Sequence, residues 1–303
     1  MSSPIFSIVI PHLNQPEHLR RCLESLSRQT LNLERVEIVV VDNGSSQLPT
    51  EMCAEYPGVR LIEQPTPGPG PARNLGVAES RGDILAFIDA DCTADAGWLQ
   101  AILDAIEHDA AQIFGGDVRI ARSDPQRPTM LEAYESIYAY RQEEYIKREG
   151  YSGTGNLAMR REVFDKVGPF AGIDVAEDRD WGRRATRLGL AVRYVPGMIV
   201  FHPARQSFDA LCEKWDRHIS HTFAEDARGL VGRLRWFAVA VAVAGSPIVE
   251  ARRIMASRRV TSHYERWLAA LVLVRIRLYR AGRMLAALAG RPIVHSSRHW
   301  NRE

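Results

Sequence analysis

Two carboxylates stand at the end of an apolar run, where Ile84-Leu-Ala-Phe-Ile88 leads straight into Asp89-Ala-Asp91. In an extended backbone, residues i and i+2 project to the same side, so Asp89 and Asp91 are expected to face one ligand. Two such charges repel unless a cation neutralises them. A hard divalent ion that prefers oxygen, Mg2+ or Mn2+, suits both the carboxylates and a diphosphate. The plainer reading is a solvated turn ahead of the next helix, whose start Asp95 could cap. His202 follows the apolar residues 198–201. It reads either as a third metal ligand, since imidazole binds Mn2+, or as a structural hydrogen-bonding group.

Three further clusters carry chemistry. Val41-Asp-Asn-Gly-Ser45 closes a second apolar run. A carboxylate there can accept from a nucleobase N–H, and the small residues after it let backbone amides approach a ligand. A turn or a helix cap would use the same residues. Gly68-Pro-Gly-Pro-Ala-Arg-Asn-Leu-Gly76 is glycine-rich, but position 73 is Arg, which breaks Gly-x-Gly-x-x-Gly and argues against a Rossmann dehydrogenase. Arg73 near a helix N-terminus suits a phosphate, or is an exposed residue at a loop-to-helix junction. Ala176-Glu-Asp-Arg-Asp-Trp181 packs three acids into four positions. Like charges so close raise a pKa, which favours a base able to take a hydroxyl proton. Capping of a helix near Asp180 accounts for the run equally well.

These clusters must be held by regular elements, and the apolar pattern shows which. Phe6-Ser-Ile-Val-Ile10 reads as a buried strand ended by Pro11, and residues 36–41, 59–62 and 84–88 as three more. Between them, residues 17–29 repeat Leu19, Cys22, Leu23 and Leu26 at helical spacing. Residues 72–80 and 98–108 are expected to be helical too, the first after a loop over 65–71. Alternation of this kind predicts an α/β layered sheet, parallel in this half, with ligands beyond the carboxyl ends of the strands. Asp42–Ser46 and Asp89–Asp91 both fall at such ends. Further on, residues 129–150 look helical, 152–159 a glycine-rich stretch, and 162–167 and 180–188 helices. Residues 192–195 and 198–201 read as separate strands.

The chain of 303 residues is long enough for one or two domains. Its net charge of +2 hides a division. Residues 1–202 hold 21 Lys and Arg against 29 Asp and Glu, and residues 203–303 hold 18 against 8. A boundary near Pro203 therefore separates a catalytic domain over 1–202 from a basic helical region over 203–303. The four cysteines, Cys22, Cys53, Cys92 and Cys212, have neither zinc-site spacing nor a disulfide framework. No signal peptide is read at the N-terminus, so a cytoplasmic location is expected. Residues 236–249 are apolar but number 14, short of the roughly 20 that span a bilayer as a helix. With basic residues beside them, they suit peripheral contact at the inner face of the plasma membrane. A helical cap on the enzyme, or a homo-oligomer contact, suits them equally. No nucleic-acid partner is expected.

In this order the clusters resemble glycosyltransferase family 2. Ser7-Ile-Val-Ile-Pro11 with Asn14, then Val39-Val-Val-Asp42-Asn-Gly-Ser45, look like its first strand and its nucleoside-binding strand end. Ala72-Arg-Asn-Leu-Gly76 and Phe87-Ile-Asp-Ala-Asp91 resemble its next two motifs. Gly153-Thr-Gly-Asn156 and Glu177-Asp178, with Arg184 beyond, resemble its acceptor-side loop and catalytic acidic motif. The match spans residues 5–202. The resemblance implies a GT-A fold, a Rossmann-like mixed sheet flanked by helices, here with a C-terminal helical region. It implies an enzyme that moves a sugar from a UDP-, GDP- or dTDP-linked donor to an acceptor hydroxyl, mostly with inversion, using Mg2+ or Mn2+. The acceptor would be a glycan, lipid-linked or small molecule, in polysaccharide, glycolipid or other glycoconjugate synthesis.

Carried over residue by residue, the resemblance makes Asp178 the base, with Glu177 beside it. Pro11, Asn14, Asp42, Asn43, Arg73, Asp89 and Arg184 would bind the donor, Asp42 at the base and Asp89 at the ribose or sugar. Asp91 would hold the metal. Gly155, Asn156 and Trp181 would lie on the acceptor side, Trp181 standing where the family often has Leu. Three rivals share features with this reading. A sugar-phosphate nucleotidyltransferase would need a Gly-rich, Arg- and Lys-bearing loop after the first strand. A carboxylate-pair hydrolase has no use for the Asp42 cluster, and a non-catalytic nucleotide-sugar-binding protein has none for Asp178.

Overall fold

The computed structural model describes residues 4–173 and 175–291. Two compact units divide the chain. The first takes the described residues up to Arg119 together with Tyr140–His202, and the second takes Ile120–Ala139 and the chain from Pro203 onward. Residues 120–139, placed by the charge division in the acidic half, thus belong to the second unit. Residues 292–303 of the predicted basic region lie outside the described residues.

The first unit is built on an eight-stranded sheet. Its strands are β1 (Phe6–His12), β2 (Val36–Asp42), β3 (Val59–Glu63), β4 (Ile84–Ile88), β5 (Thr93–Ala94), β6 (Ile113–Ala121), β7 (Asn156–Arg160) and β8 (Val192–Pro203). They lie in the order β3-β2-β1-β4-β7-β6-β8-β5. The first four pair in parallel, as the alternating pattern requires, whereas β4 with β7, β7 with β6, and β8 with β5 are antiparallel. The sheet is therefore mixed.

Strands buried on both faces read as unbroken apolar runs, and their alternate side chains feed two cores. Phe6, Ile8, Ile10, Val40 and Ile88 join the helices α1 (Pro16–Ser27) and α4 (Trp98–His108) on one face. Val9, Val39, Val41 and Phe87 pack on the other with α3 (Pro69–Glu79), α7 (Arg161–Val167) and α8 (Glu177–Arg187). Two shorter helices, α2 (Thr50–Ala54) and α6 (Gln142–Glu149), complete the unit.

Several boundaries differ from the sequence reading. Pro11 does not end β1, which runs to His12 opposite Asp42. The ladder to β4 has already stopped at Val9, so the missing N–H of Pro11 costs no bond on that flank. Helix α3 begins at Pro69, because proline at the first helical positions loses no helical hydrogen bond. Gly97, not Asp95, caps α4, although Asp95 Oδ1 accepts the Gly97 N–H at 3.0 Å. Helix α8 starts at Glu177, three residues early, so the acidic pair lies inside its first turn. The two strands expected over 192–201 are one, β8.

The second unit is helical: α5 (Met130–Tyr138), α9 (Phe208–Asp226), α10 (Gly229–Ala256) and α11 (His263–Leu288). The run read as helical over 129–150 is thus two helices, one in each unit. Thr129 caps α5 in a capping box with Glu132, and Ser262 caps α11 by accepting from the Glu265 N–H. Leu211, Val260, Leu268, Val272 and Ile276 are among the buried residues of its core. The apolar run 236–249 is only the middle of α10, which extends over 28 residues.

Candidate active site

The carboxyl ends of β1, β2 and β4 bring the expected clusters to one edge of the sheet. At β2, the Asp42 side chain is almost fully buried. Its Oδ1 accepts from the N–H groups of Gly44 and Ser45, at 3.0 and 2.9 Å, and its Oδ2 lies 2.9 Å from His12 Nδ1. Burial works to raise the carboxyl, but these hydrogen bonds prevail and hold it below the usual value. Asn43 spans outward, donating to the carbonyls of Gln64 and Thr66 and accepting from Gly68 N–H at 2.7 Å. Asn14, at φ +50°, accepts from Ser46 N–H. Asp42, Asn43 and Asn14 thus shape the loop that follows β2. The buried Asp42 carboxylate makes its hydrogen bonds to that turn and to His12.

Asp89 and Asp91 leave β4 in a tight turn, with the Cys92 N–H bonded to the Asp89 carbonyl at 2.9 Å. The extended-strand geometry expected for them does not hold, and each finds a separate partner. Arg73, on the first turns of α3, reaches Asp89 Oδ1 at 2.6 Å and Glu177 Oε1 at 3.1 Å. Its side chain is 4% exposed, and both carboxylates pair with the guanidinium, while its Nε has no hydrogen-bond partner among the described residues. Arg73 straps the turn after β4 to the start of α8. Gly155 lies against the same turn, where a Cβ would stand 2.5 Å from Asp89 Oδ2. Only glycine leaves that carboxylate its place.

Asp91 Oδ2 lies 3.2 Å from His202 Nε2, which is also 2.8 Å from the Tyr140 hydroxyl. Burial pushes the Asp91 carboxyl up, but the hydrogen bond and charge of His202 outweigh it and hold the group below its ordinary value. Two ligand atoms set at right angles, each roughly 2.1 Å from a small divalent ion, are about 3 Å apart. The Asp91–His202 pair fits that spacing. Among the described residues no group of three or more His, Cys, Asp or Glu side chains forms a metal cluster. A cation here would need oxygens of the donor and water to complete its shell, as small divalent ions with phosphates commonly do.

Asp178 completes the site. It sits in the first turn of α8, where the free amides of a helix favour a carboxylate. Its Oδ1 accepts from the Arg179 N–H at 2.7 Å, the only hydrogen bond its side chain makes among the described residues. Burial first, and then the charge of Glu177, raise its pKa above the ordinary value. It is therefore a carboxylate with lone pairs to spare and a raised proton affinity. Tyr151, stacked on Tyr145 with ring centroids 5.6 Å apart, feels its charge. Burial first and Asp178 next push the Tyr151 hydroxyl up to about 12.

Three expected site residues are structural. Asn156 is wholly buried, donating to the Asp117 and Met198 carbonyls and accepting from Trp98 Nε1, so it cannot touch an acceptor. Trp181 is 1% exposed, packed on Phe164 and Phe170, with its Nε1 donating to the Gly168 carbonyl. Its large ring fills the core beneath α8. Arg184 pairs with Asp180 and donates to the carbonyls of Val167 and Pro169, which fastens α8 to the end of α7. Pro11 is buried in β1. The sequence reading missed His12, Tyr140 and Tyr151. The signal for His12 was its place at the end of a strand, the same signal that marked His202.

A model of glycosyl transferase family 2 matches residues 7–168, more than half of the chain. Glycosyltransferase AglE of Haloferax volcanii is 33% identical over 208 residues, which is 67% of this chain and 68% of that protein. Among solved structures, a mannosyltransferase of Pyrobaculum calidifontis in complex with GDP-Man and Mn2+ superimposes with a TM-score of 0.57 at 16% identity, covering 96% of this chain and 88% of the other. TarS 1-349 of S. aureus, in complex with UDP-GlcNAc, gives 0.55 at 15%, covering 94% and 92%. At such identities the structural likeness speaks for the fold, which is GT-A: a mixed sheet with flanking helices and a helical C-terminal region.

Proposed function

The chain belongs to glycosyl transferase family 2 and is a glycosyltransferase, and we propose that it uses a nucleotide-sugar donor with Asp178 as its base. The observation that carries this reading is Asp178 itself, a carboxylate of raised pKa beside the Arg73 strap that links Glu177 to Asp89. The nucleoside lies against the loop after β2, whose amides Asp42, Asn43 and Asn14 hold in place. The sugar sits by Asp89, with Gly155 leaving it room. Asp178 accepts the proton of the acceptor hydroxyl as that oxygen bonds to the anomeric carbon. The anomeric bond to the diphosphate breaks on the opposite face, so configuration inverts.

A divalent cation held by Asp91 and His202, when bound, supplies the positive charge that stabilises the leaving diphosphate. The Mn2+ of the Pyrobaculum calidifontis mannosyltransferase complex supports such use. Its GDP-Man, and the UDP-GlcNAc of the TarS complex, support a nucleotide-sugar donor. The acceptor hydroxyl belongs to a glycan, a lipid-linked sugar or a small molecule, and the stacked Tyr145–Tyr151 pair beside Asp178 gives a sugar ring a flat face to lie on.

Release of sugar from a panel of UDP-, GDP- and dTDP-sugars, with and without Mn2+, tests the reading. Metal-stimulated turnover of at least one donor is expected. Asp91→Ala should abolish the Mn2+-dependent part of donor affinity in calorimetry. An unchanged Mn2+ dependence in that folded variant would remove Asp91 from the metal site.

A further inference from the structure

Helices α10 and α11 turn apolar residues outward along their whole length. On α10, Leu234, Phe237, Val241 and Ile248 are exposed at steps of three, four and seven residues, Ile248 at 83%. On α11, Tyr264, Trp267, Leu271, Val274 and Leu278 are exposed at alternating steps of three and four. That is one continuous stripe down a helix, not scattered surface residues. The opposite faces are already used. Trp236 and Ala240 of α10 are buried, as are Leu268, Val272 and Ile276 of α11. A soluble surface rarely carries apolar patches of this extent unless something covers them.

The charge around the stripes identifies the cover. Residues 228–291 contain 13 Arg, no Lys, and only two acids, Glu250 and Glu265. Both acids are ion-paired within the unit, Glu265 with Arg122 at 2.9 Å and Glu250 with Arg277 at 3.5 Å and Arg253 at 3.7 Å. Exposed Arg233 and Arg235 stand before the apolar centre of α10, and exposed Arg252 and Arg258 after it. Between 236 and 251 no exposed residue of α10 is charged. Apolar stripes bordered by arginine match an anionic bilayer surface, with acyl chains against the stripe and lipid phosphates at its borders.

The helix is long and apolar enough to cross a bilayer, with a mean hydropathy of 1.4 over its most apolar window. Its attachments oppose that. Trp236 Nε1 donates to the Met284 carbonyl at 3.1 Å near one end, and Glu250 meets Arg277 at 3.5 Å near the other. Helix α10 is thus fastened along its length to α11, which carries Arg275, Arg277, Arg280 and Arg283. Crossing would draw those arginines into hydrocarbon. We propose that α10 and α11 lie in the plane of a membrane, as an anchor selective for anionic phospholipid. The inference rests on the second unit alone and does not depend on the sugar-transfer chemistry.

Flotation of the full chain with phosphatidylcholine vesicles, with and without phosphatidylglycerol, tests it. Binding is expected only with the anionic lipid, falling tenfold or more in high salt. Phe237→Glu with Ile248→Glu should lose at least tenfold of that binding. Arg235→Gln with Arg252→Gln and Arg258→Gln should bind more weakly and flatten the salt dependence. All of these side chains are exposed, so melting temperature and donor turnover in vesicle-free buffer should stay at the parent level and show that the variants are folded. No binding to anionic vesicles at low salt overturns the proposal. So does binding that survives both sets of substitutions. Retention in the lipid after alkaline carbonate extraction overturns the in-plane arrangement in favour of a spanning helix. A dimer that Phe237→Glu and Ile248→Glu convert to monomer, without vesicle binding, makes the face a contact between copies instead.

Discussion

Burial and the neighbouring Glu177 raise the Asp178 carboxyl above its ordinary value, so its ionised form is less stable in the folded chain than in the unfolded one. The stability this group contributes is full below its unfolded pKa and is lost as pH rises through the folded pKa. Asp178→Asn carries no charge at any pH, so it should melt above the parent near neutral pH. Thermal melts should show the gap closing once the pH falls below about 4, where the parent is protonated as well. The same variant should lose about 10²-fold or more in turnover while donor affinity stays near the parent value, the usual scale for a missing base. Normal turnover on a true acceptor would mean that Asp178 is only a helix-cap carboxylate. Arg73 makes the opposite case, a charge whose partners hold it in place. Arg73→Ala leaves Asp89 and Glu177 without their shared cation and should cost about 2 kcal/mol in urea unfolding, moderated because both carboxylates are partly exposed. Residue types were legible in the sequence at this scale, and partners were not. Nothing in Ala72-Arg-Asn-Leu-Gly76 says that its arginine meets a glutamate 104 positions later.

At the scale of elements, legibility followed burial pattern. The parallel strands β1, β2 and β4 are buried on both faces and stood out, whereas β6 and β7 escaped because their sequences answer to close contacts rather than to periodicity. Strand β6 carries Gly115-Gly116, which breaks any apolar run, yet a Cβ at Gly116 would meet Asn156 Nδ2 at 2.3 Å. The Met198 carbonyl, 2.2 Å from such a Cβ, and Asn156, read as an acceptor ligand, together require that glycine. The amide bonds of Asn156 tie β7 to the carbonyls of Asp117 on β6 and Met198 on β8, and to the indole of Trp98 on α4. Asn156→Ala leaves one buried donor and two buried acceptors short of a partner and should destabilise by about 3 kcal/mol. Once the variant is folded at low temperature, the acceptor KM should match the parent's. A raised KM with unchanged stability would restore the acceptor role. Gly155 tests the adjacent loop in the opposite sense. Gly155→Ala drives a Cβ into Asp89 and should weaken donor affinity tenfold or more in calorimetry, with little change in melting temperature.

The whole molecule is two compact units of opposite character. The acidic excess of residues 1–202 lies mostly in the unit that carries Asp89, Asp91 and Asp178, and the basic excess in the helical unit. Charge asymmetry was visible in the sequence, but not that residues 120–139 leave the sheet to join the helices. That exchange depends on Leu131, Tyr134 and Ile137 packing with Leu268 and Ile276, contacts more than a hundred positions apart. Each unit has its own core and, on the readings above, its own ligand. A ligand that binds only the folded form of one unit stabilises that unit by mass action and leaves the other where it was. Differential scanning calorimetry should therefore resolve two transitions. Mn2+ with an accepted nucleotide sugar should raise one of them by several degrees, and anionic vesicles should raise only the other. Phe237→Glu with Ile248→Glu should abolish the response to vesicles and leave the response to the nucleotide sugar intact. One cooperative transition that both ligands raise together would show instead that the units unfold as one, and that the helices and the catalytic sheet depend on each other for stability.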